Sequence, residues 1–289
     1  MTDLSDLSRS IAALAERFSP GVVGVTGARA WSSGFVWREG HVVTADEALD
    51  AEGDVAVVLP DGTRRAAAVV GRDPSTDVAL LRVEGALPPP VPLDPAVPRL
   101  GELALALGRG PDGAVAGFGV VRHAGPAWRS LRGGTIDARL QLDLRLPRAA
   151  EGGLALGADG RAFGMTVFGP RRSSLVIPSA TIERVADHLA RHGRVARGYL
   201  GLSLQPVRLG QGGGAAAVVT DVDPQGPALA AGVLQGDLLV RLGGEPLRGP
   251  WAVRSRLGPD SVGQAVELGL LRGGQPLTVT LTIAEQPAP

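Results

Sequence analysis

From residue 22 onward the chain is a succession of short apolar runs, each cut off by glycine, proline or aspartate. The runs Val22–Val25, Gly34–Trp37, His41–Thr44, Asp54–Leu59, Ala66–Val70, Val78–Val83, Leu103–Leu107 and Gly117–Val121 are too short for helices. Bounded by turn residues at regular spacing, they predict strands of a sandwich or barrel. Gly 42 and Pro 23 supply the turns. Leu59-Pro60-Asp61-Gly62 predicts a hairpin, because proline fixes φ and glycine accepts positive φ. Hydrophobic residues make up 44% of the chain but aromatics only 3%, so the core must rest on Val, Leu and Ala.

Helices are expected in few places. Ile11, Leu14, Ala15 and Phe18 share one helical face, closed by Ser19-Pro20. Ser179–His192 predicts a second helix, with Ser179 as its cap and Ile182, Val185 and Leu189 at helical spacing. Residues 193–197 read as a linker. A second unit then runs over 198–285, with strands near Leu202–Val207, Ala216–Val222, Asp237–Arg241, Ala265–Arg272 and Leu277–Ile283. Helices are predicted at Pro227–Ala231 and Trp251–Leu257, and a glycine-rich loop at 210–214. The expected division is therefore an N-terminal helical segment over 1–20, a β domain over 21–192, and a smaller α+β domain.

The formal net charge is +0, which argues against a nucleic-acid partner. Cys is 0, which excludes disulfides, zinc-thiolate sites and thiol nucleophiles. Every basic residue is Arg, and there is no Asn, as coding in a GC-rich genome would produce. No cofactor is expected. The first residues carry Asp3 and Asp6 and lack a basic start followed by an apolar run, so no signal peptide is read there. With no apolar run long enough for a bilayer, the expected location is cytoplasmic, or periplasmic or extracellular if the start is trimmed.

The ordered motifs resemble the HtrA family. They are Ser33-Gly34-Phe35-Val36, Gly40-His41-Val42-Val43-Thr44, Gly71-Arg72-Asp73-Pro74-Ser75-Thr76-Asp77-Val78-Ala79-Leu80-Leu81, Glu151-Gly152-Gly153, and Arg197-Gly198-Tyr199-Leu200-Gly201-Leu202-Ser203-Leu204-Gln205-Pro206. The resemblance implies a mostly β chain: a trypsin-like double six-stranded β-barrel, then a PDZ domain of the permuted bacterial type. It assigns the catalytic His position to Glu47, the Asp position to Asp77 and the nucleophile position to Glu151. The oxyanion-hole positions fall on Ala149 and Ala150.

Two of three triad positions are thus changed to Glu. A serine hydroxyl becomes a nucleophile when a neighbouring base removes its proton. Glu151 has no hydroxyl to activate, and its carboxylate would oppose a developing oxyanion. Ala149 also accepts positive φ less readily than glycine. No relocated base or nucleophile is expected from His41, His123, His188, His192, Ser173 or Ser174, which read as surface histidines and loop hydroxyls. The expected protein is therefore a pseudoprotease without a catalytic residue. A serine endopeptidase and a regulatory subunit of an active relative are the alternatives.

In the resemblance Glu47, Asp77 and Glu151 come together. Such a cluster raises its own pKa values unless a proton, an Arg such as Arg145 or Arg148, or a cation relieves it. Drift, with the side chains turned to solvent, is the simpler account, and no metal site is expected. In the second domain, the resemblance implies a carboxylate-binding loop at Tyr199, Leu200, Gly201 and Leu202. A peptide or protein C-terminus would add as a strand along Ser203 and Leu204, against Val253, Arg254 and Leu257. Leu200 and Leu202 are also readable as plain core residues. Homotrimers, with contacts through Phe18 and Trp31, are a further implication.

Overall fold

The computed structural model describes residues 4–27, 31–49, 54–209, 214–247 and 250–287. It divides into two compact units. One comprises Met1–Trp128 and Ile136–Val195, the other Arg129–Thr135 and Ala196–Pro289.

The first unit contains two closed six-stranded barrels. In the first, strands Val22–Thr26, Trp31–Arg38, His41–Thr44, Val78–Val83, Arg64–Asp73 and Val55–Val58 follow one another around the barrel. The second runs Arg139–Asp143, Ser174–Pro178, Ala162–Phe168, Leu154–Gly157, Leu103–Gly110 and Gly113–Gly125. Closure removes the exposed edges that short strands would otherwise present. Several strands lose the simple alternation of a half-buried sheet. Val22–Thr26 and Leu154–Gly157 are buried at every position, which is why they read as continuous apolar runs. The core is mostly aliphatic, with Val22, Val43, Leu80, Leu107, Leu154 and Leu156 joined by Phe35 and Met165.

The Leu59-Pro60-Asp61-Gly62 turn forms as its chemistry predicts. Gly62 has φ of 86°, its N–H donates to the Leu59 carbonyl at 3.0 Å, and Asp61 Oδ1 accepts the Thr63 N–H at 2.8 Å. The N-terminal helix spans Leu4–Phe18 and buries Leu14 and Phe18, with Ile11 and Ala15 packed beside them. Phe18 is therefore spent on its own core, with 5% exposure, and offers no open surface to a second copy. Trp31 is half-buried, and its indole N–H donates to the Arg109 carbonyl.

The helix Ser179–His192 buries Ile182, Val185 and Leu189 and ends at Gly193, whose φ is 72°. Ser179 does not cap it. Pro178 occupies the cap position, and the Ser179 hydroxyl donates instead to the Ala162 carbonyl at 3.0 Å. The barrel strand alongside supplies a closer acceptor than the helix's own first turn supplies a donor.

The second unit is built on a sheet in the order Leu202–Arg208, Ala215–Val222, Leu238–Leu242, Ala265–Arg272 and Gln275–Thr282. Short helices stand at Pro227–Ala230 and Pro250–Arg254. The latter ends earlier than expected, so Leu257 lies beyond it, ahead of Gly258-Pro259. The expected glycine-rich loop falls mainly on residues 210–213, outside the described residues.

Candidate functional site

Asp77 is positioned by the turn that precedes it. The buried Asp73 carboxylate accepts the Ser75 N–H at 2.9 Å, the Ser75 hydroxyl at 2.5 Å and the Thr76 hydroxyl at 2.6 Å. This local network competes with continued strand geometry and closes a tight turn. The next residue, Asp77, leaves it with φ of 61°, a left-handed conformation that Asp tolerates better than most residues. Its Oδ1 then accepts the backbone N–H of Glu47 at 2.8 Å, and its carbonyl accepts the Asp46 N–H at 3.4 Å. Asp46 has its own partner, its buried carboxylate pairing with Arg72 Nε at 2.5 Å.

Burial pushes the Asp77 carboxyl up to about 7. The Glu47 N–H opposes that rise, while the charges of Glu47, Asp46 and Glu151 add to it. Glu151 is raised too, first by burial and then by Glu47, and is eased down by the Phe168 backbone and by Arg148 and Arg172. The structure therefore brings Glu47, Asp77 and Glu151 within electrostatic reach of one another. Of the two arginines anticipated as relief, Arg148 acts on Glu151. The second is Arg172, which comes from a distant loop and was invisible to sequence proximity.

The loop holding Glu151 is tied down at nearly every polar atom. Residues Arg148–Ala150 form a single 3-10 turn, in which the Ala150 N–H donates to Pro147 at 2.8 Å and the Glu151 N–H to Arg148 at 3.3 Å. The Glu151 carbonyl accepts the Ser33 N–H at 2.7 Å. The Ala149 carbonyl accepts the Ser33 hydroxyl, and the Ala150 carbonyl accepts the Thr166 hydroxyl at 2.7 Å. Gly152, at φ of 80°, passes so close to the Ser33 carbonyl that an added Cβ would lie 2.2 Å from it. The Glu151 N–H is thus engaged by a neighbouring carbonyl within its own turn.

Ser33, which the sequence offers only as a motif residue, is fully buried beside this loop. Its hydroxyl both donates to Ala149 and accepts the Arg109 N–H at 2.7 Å, so it is structural. The Ser174 hydroxyl is buried and donates to the Leu144 carbonyl at 2.9 Å. His41 Nδ1 lies 2.9 Å from the Glu39 carbonyl at the start of its strand, while His188 and His192 stack together on the helix, centroids 4.4 Å apart. Among the described residues no group of three or more acidic and histidine side chains is arranged to hold a metal.

In the second unit Leu200 is 3% exposed, Val253 is buried, and Leu202, Leu204 and Leu257 pack against the same core. Gly201 has φ of 74°, and its carbonyl accepts the Asp223 N–H at 2.9 Å. The Leu200 carbonyl accepts the Ala228 N–H at 3.0 Å, and the Tyr199 hydroxyl donates to Asp223 Oδ2 at 2.7 Å. These bonds fix the loop through its carbonyls. Among the described residues, neither the Leu200 nor the Gly201 N–H finds an acceptor. Ser203 and Leu204 follow on a strand that, among the described residues, pairs only with Ala215–Val222 and has its other edge open; Arg254 is exposed at the end of its short helix.

Residues 32–165 match a trypsin-like peptidase domain and residues 198–283 a PDZ domain. A probable periplasmic serine endoprotease, DegP-like, from Brucella suis is 31% identical over 276 residues, covering 89% of this chain and 53% of that protein. The solved structure of the HtrA-type protease AlgW with decapeptide superposes with a TM-score of 0.68 over 96% of this chain and 99% of that one, at 23% identity. The chain is an HtrA-like protein. The serine endoprotease from Yersinia pestis likewise superposes on the HtrA-like chain, with a TM-score of 0.68 and 26% identity, covering 95% of this chain and 98% of the other. The HtrA-like chain spans about half the length of the curated relatives it matches. Those relatives are named periplasmic, which overturns the cytoplasmic expectation. That expectation rested on the composition of the first residues and on the lack of a bilayer-length apolar run. Among the described residues no helix is long and apolar enough to cross a membrane.

Proposed function

We propose that this HtrA-like chain is non-catalytic and binds peptides or protein C-termini through its PDZ domain, with the barrels as scaffold. The observation that carries the first half is Glu151. It stands where the resemblance requires a serine, and its own N–H is bound to the Arg148 carbonyl. A carboxyl near 7, as at Asp77, is matched to proton transfer at neutral pH, but there is no hydroxyl at position 151 for it to serve. The second half is supported by the unaccepted N–H groups of Leu200 and Gly201 beside an open strand edge, the arrangement that captures a terminal carboxylate and a β-strand. AlgW, a structural neighbour, holds a decapeptide. The compartment is taken as the periplasm, after the relatives' names.

The names of the relatives favour the opposite reading, a serine endopeptidase. Incubation of the chain with unfolded casein, beside Asp77→Ala, separates the two. Neither protein is expected to cut. Cutting by the parent that is lost in the variant would overturn the proposal and demand a relocated nucleophile. A labelled peptide with a hydrophobic C-terminal residue is expected to bind, and its C-terminal amide to bind far more weakly. Equal binding of the two forms would remove the PDZ half of the proposal.

A further inference from the structure

The barrel unit carries a second feature beside the Glu151 loop. A surface cavity of about 590 Å³ is lined by Arg145, Leu146, Pro147, Arg148, Phe168 and Arg172. Three of its six lining residues are arginines, in a chain whose net charge is +0. Among the described residues none of the three guanidinium groups is paired with a carboxylate. Arg172 is set by an unusual loop. Arg171 and Arg172 take φ of 55° and 58°, two consecutive left-handed conformations without a glycine. That geometry costs energy and persists only where the surroundings hold it. Here the Gly169 N–H donates to Ser173 at 2.7 Å and the Arg172 N–H to Gly169 at 3.0 Å. The result places the Arg172 guanidinium 4.8 Å from the centre of the Phe168 ring.

We propose that this arginine-lined cavity binds an acidic side chain, Glu or Asp, presented on an extended peptide. Charge complementarity selects the carboxylate, and guanidinium groups are the donors best shaped to receive it. The apolar part of the wall, from Leu146, Pro147 and Phe168, selects a carboxylate carried on a hydrocarbon stem over a bare inorganic anion. The volume lies in the range of organic-ligand pockets and exceeds what one small anion needs. Glu151 borders the same arginines and feels both Arg148 and Arg172, so its charge competes with that of the ligand. This site is independent of the PDZ domain and of whether that domain binds C-termini.

The experiment uses the 289-residue chain and two fluorescein-labelled extended peptides, identical except for a central Glu or Gln, both amidated so that the PDZ loop has no terminal carboxylate to take. Binding is followed by fluorescence anisotropy. The Glu peptide is expected to bind about tenfold more tightly than the Gln peptide at low salt, with the gap closing as salt rises. Arg148→Gln and Arg172→Gln are each expected to weaken the Glu peptide about threefold and to leave the Gln peptide unchanged. Glu151→Gln is expected to tighten the Glu peptide about twofold, by removing the competing charge. Unchanged melting temperatures of the variants separate lost binding from lost folding. Equal binding of the two peptides, no binding of either, or indifference to both arginine variants overturns the proposal. Displacement of the Glu peptide by inorganic phosphate at matching concentration also overturns it, since the site would then take any small anion.

Discussion

Replacing Asp77 by Asn removes one titrating group and little else. Asn retains an Oδ1 to accept the Glu47 N–H, and it adopts the left-handed conformation that Asp77 shows at φ of 61°. Folded Asp77 keeps its proton up to about pH 7, whereas its ordinary value is 3.8. Between these two values the folded state binds more protons than the unfolded state. The stability tied to this proton is therefore full below the lower value and is lost as pH rises through the upper one. Taken alone, the shift corresponds to about 4 kcal/mol. Partial solvent access and coupling to the nearby Glu151 carboxyl reduce the expected effect to about 2 kcal/mol. Urea unfolding at a series of pH values, followed by tryptophan fluorescence, reads it out. Trp31, Trp37 and Trp128 all belong to the barrel unit, so the signal reports mainly on that unit. Near pH 4 the two proteins should unfold at similar urea concentrations; by about pH 8 Asp77→Asn should be the more stable by about 2 kcal/mol. A stability difference that stays constant across the range would refute the reasoning, because a constant offset carries no proton.

Glu151→Ser, alone or with Glu47→His, should leave casein uncut, because the N–H at position 151 remains bound to Arg148; cleavage by the double variant would show that the loop opens freely. Gly152→Ala should destabilise the barrel unit by about 3 kcal/mol in urea unfolding, since the new methyl group meets the Ser33 carbonyl at a φ that disfavours Ala. Gly201→Ala should weaken binding of a C-terminal hydrophobic peptide about tenfold by anisotropy, because its Cβ would lie 2.8 Å from Gly226 Cα and distort the carboxylate loop.

The barrels were legible because their strands are short and sharply punctuated. The run His41–Thr44 and the run Val78–Val83 have the same ends in sequence and structure. The Pro60-Asp61-Gly62 turn was legible because its chemistry is local. What sequence could not supply was the partner from across the fold. Ser179 has the composition of a cap, yet its hydroxyl goes to Ala162 on an adjacent strand. Arg145 and Arg148 both lie near Glu151 along the chain, and Arg148 does relieve it, but the second relieving charge is Arg172, carried in by its own loop. The left-handed Asp77 follows three bonds to the Asp73 carboxylate, one from a backbone N–H and two from hydroxyls, a pattern that Asp-Pro-Ser-Thr permits without dictating.

The Glu151 loop also serves as a rivet. Its carbonyls at 149 and 151 are fastened to Ser33 in the first barrel, while those at 150 and 153 and the N–H of Gly152 are fastened to Thr166 in the second. Selection for a folded chain is therefore enough to hold the backbone of this loop, whichever side chains it carries. Its shape is kept by mechanics, so the Gly152-Gly153 pair is by itself no sign for or against chemistry there. On the proposed non-catalytic reading the same fastening acts as a ratchet: with the Glu151 amide engaged by Arg148, placing a nucleophile there by single substitution would not by itself supply a hole to receive the charge.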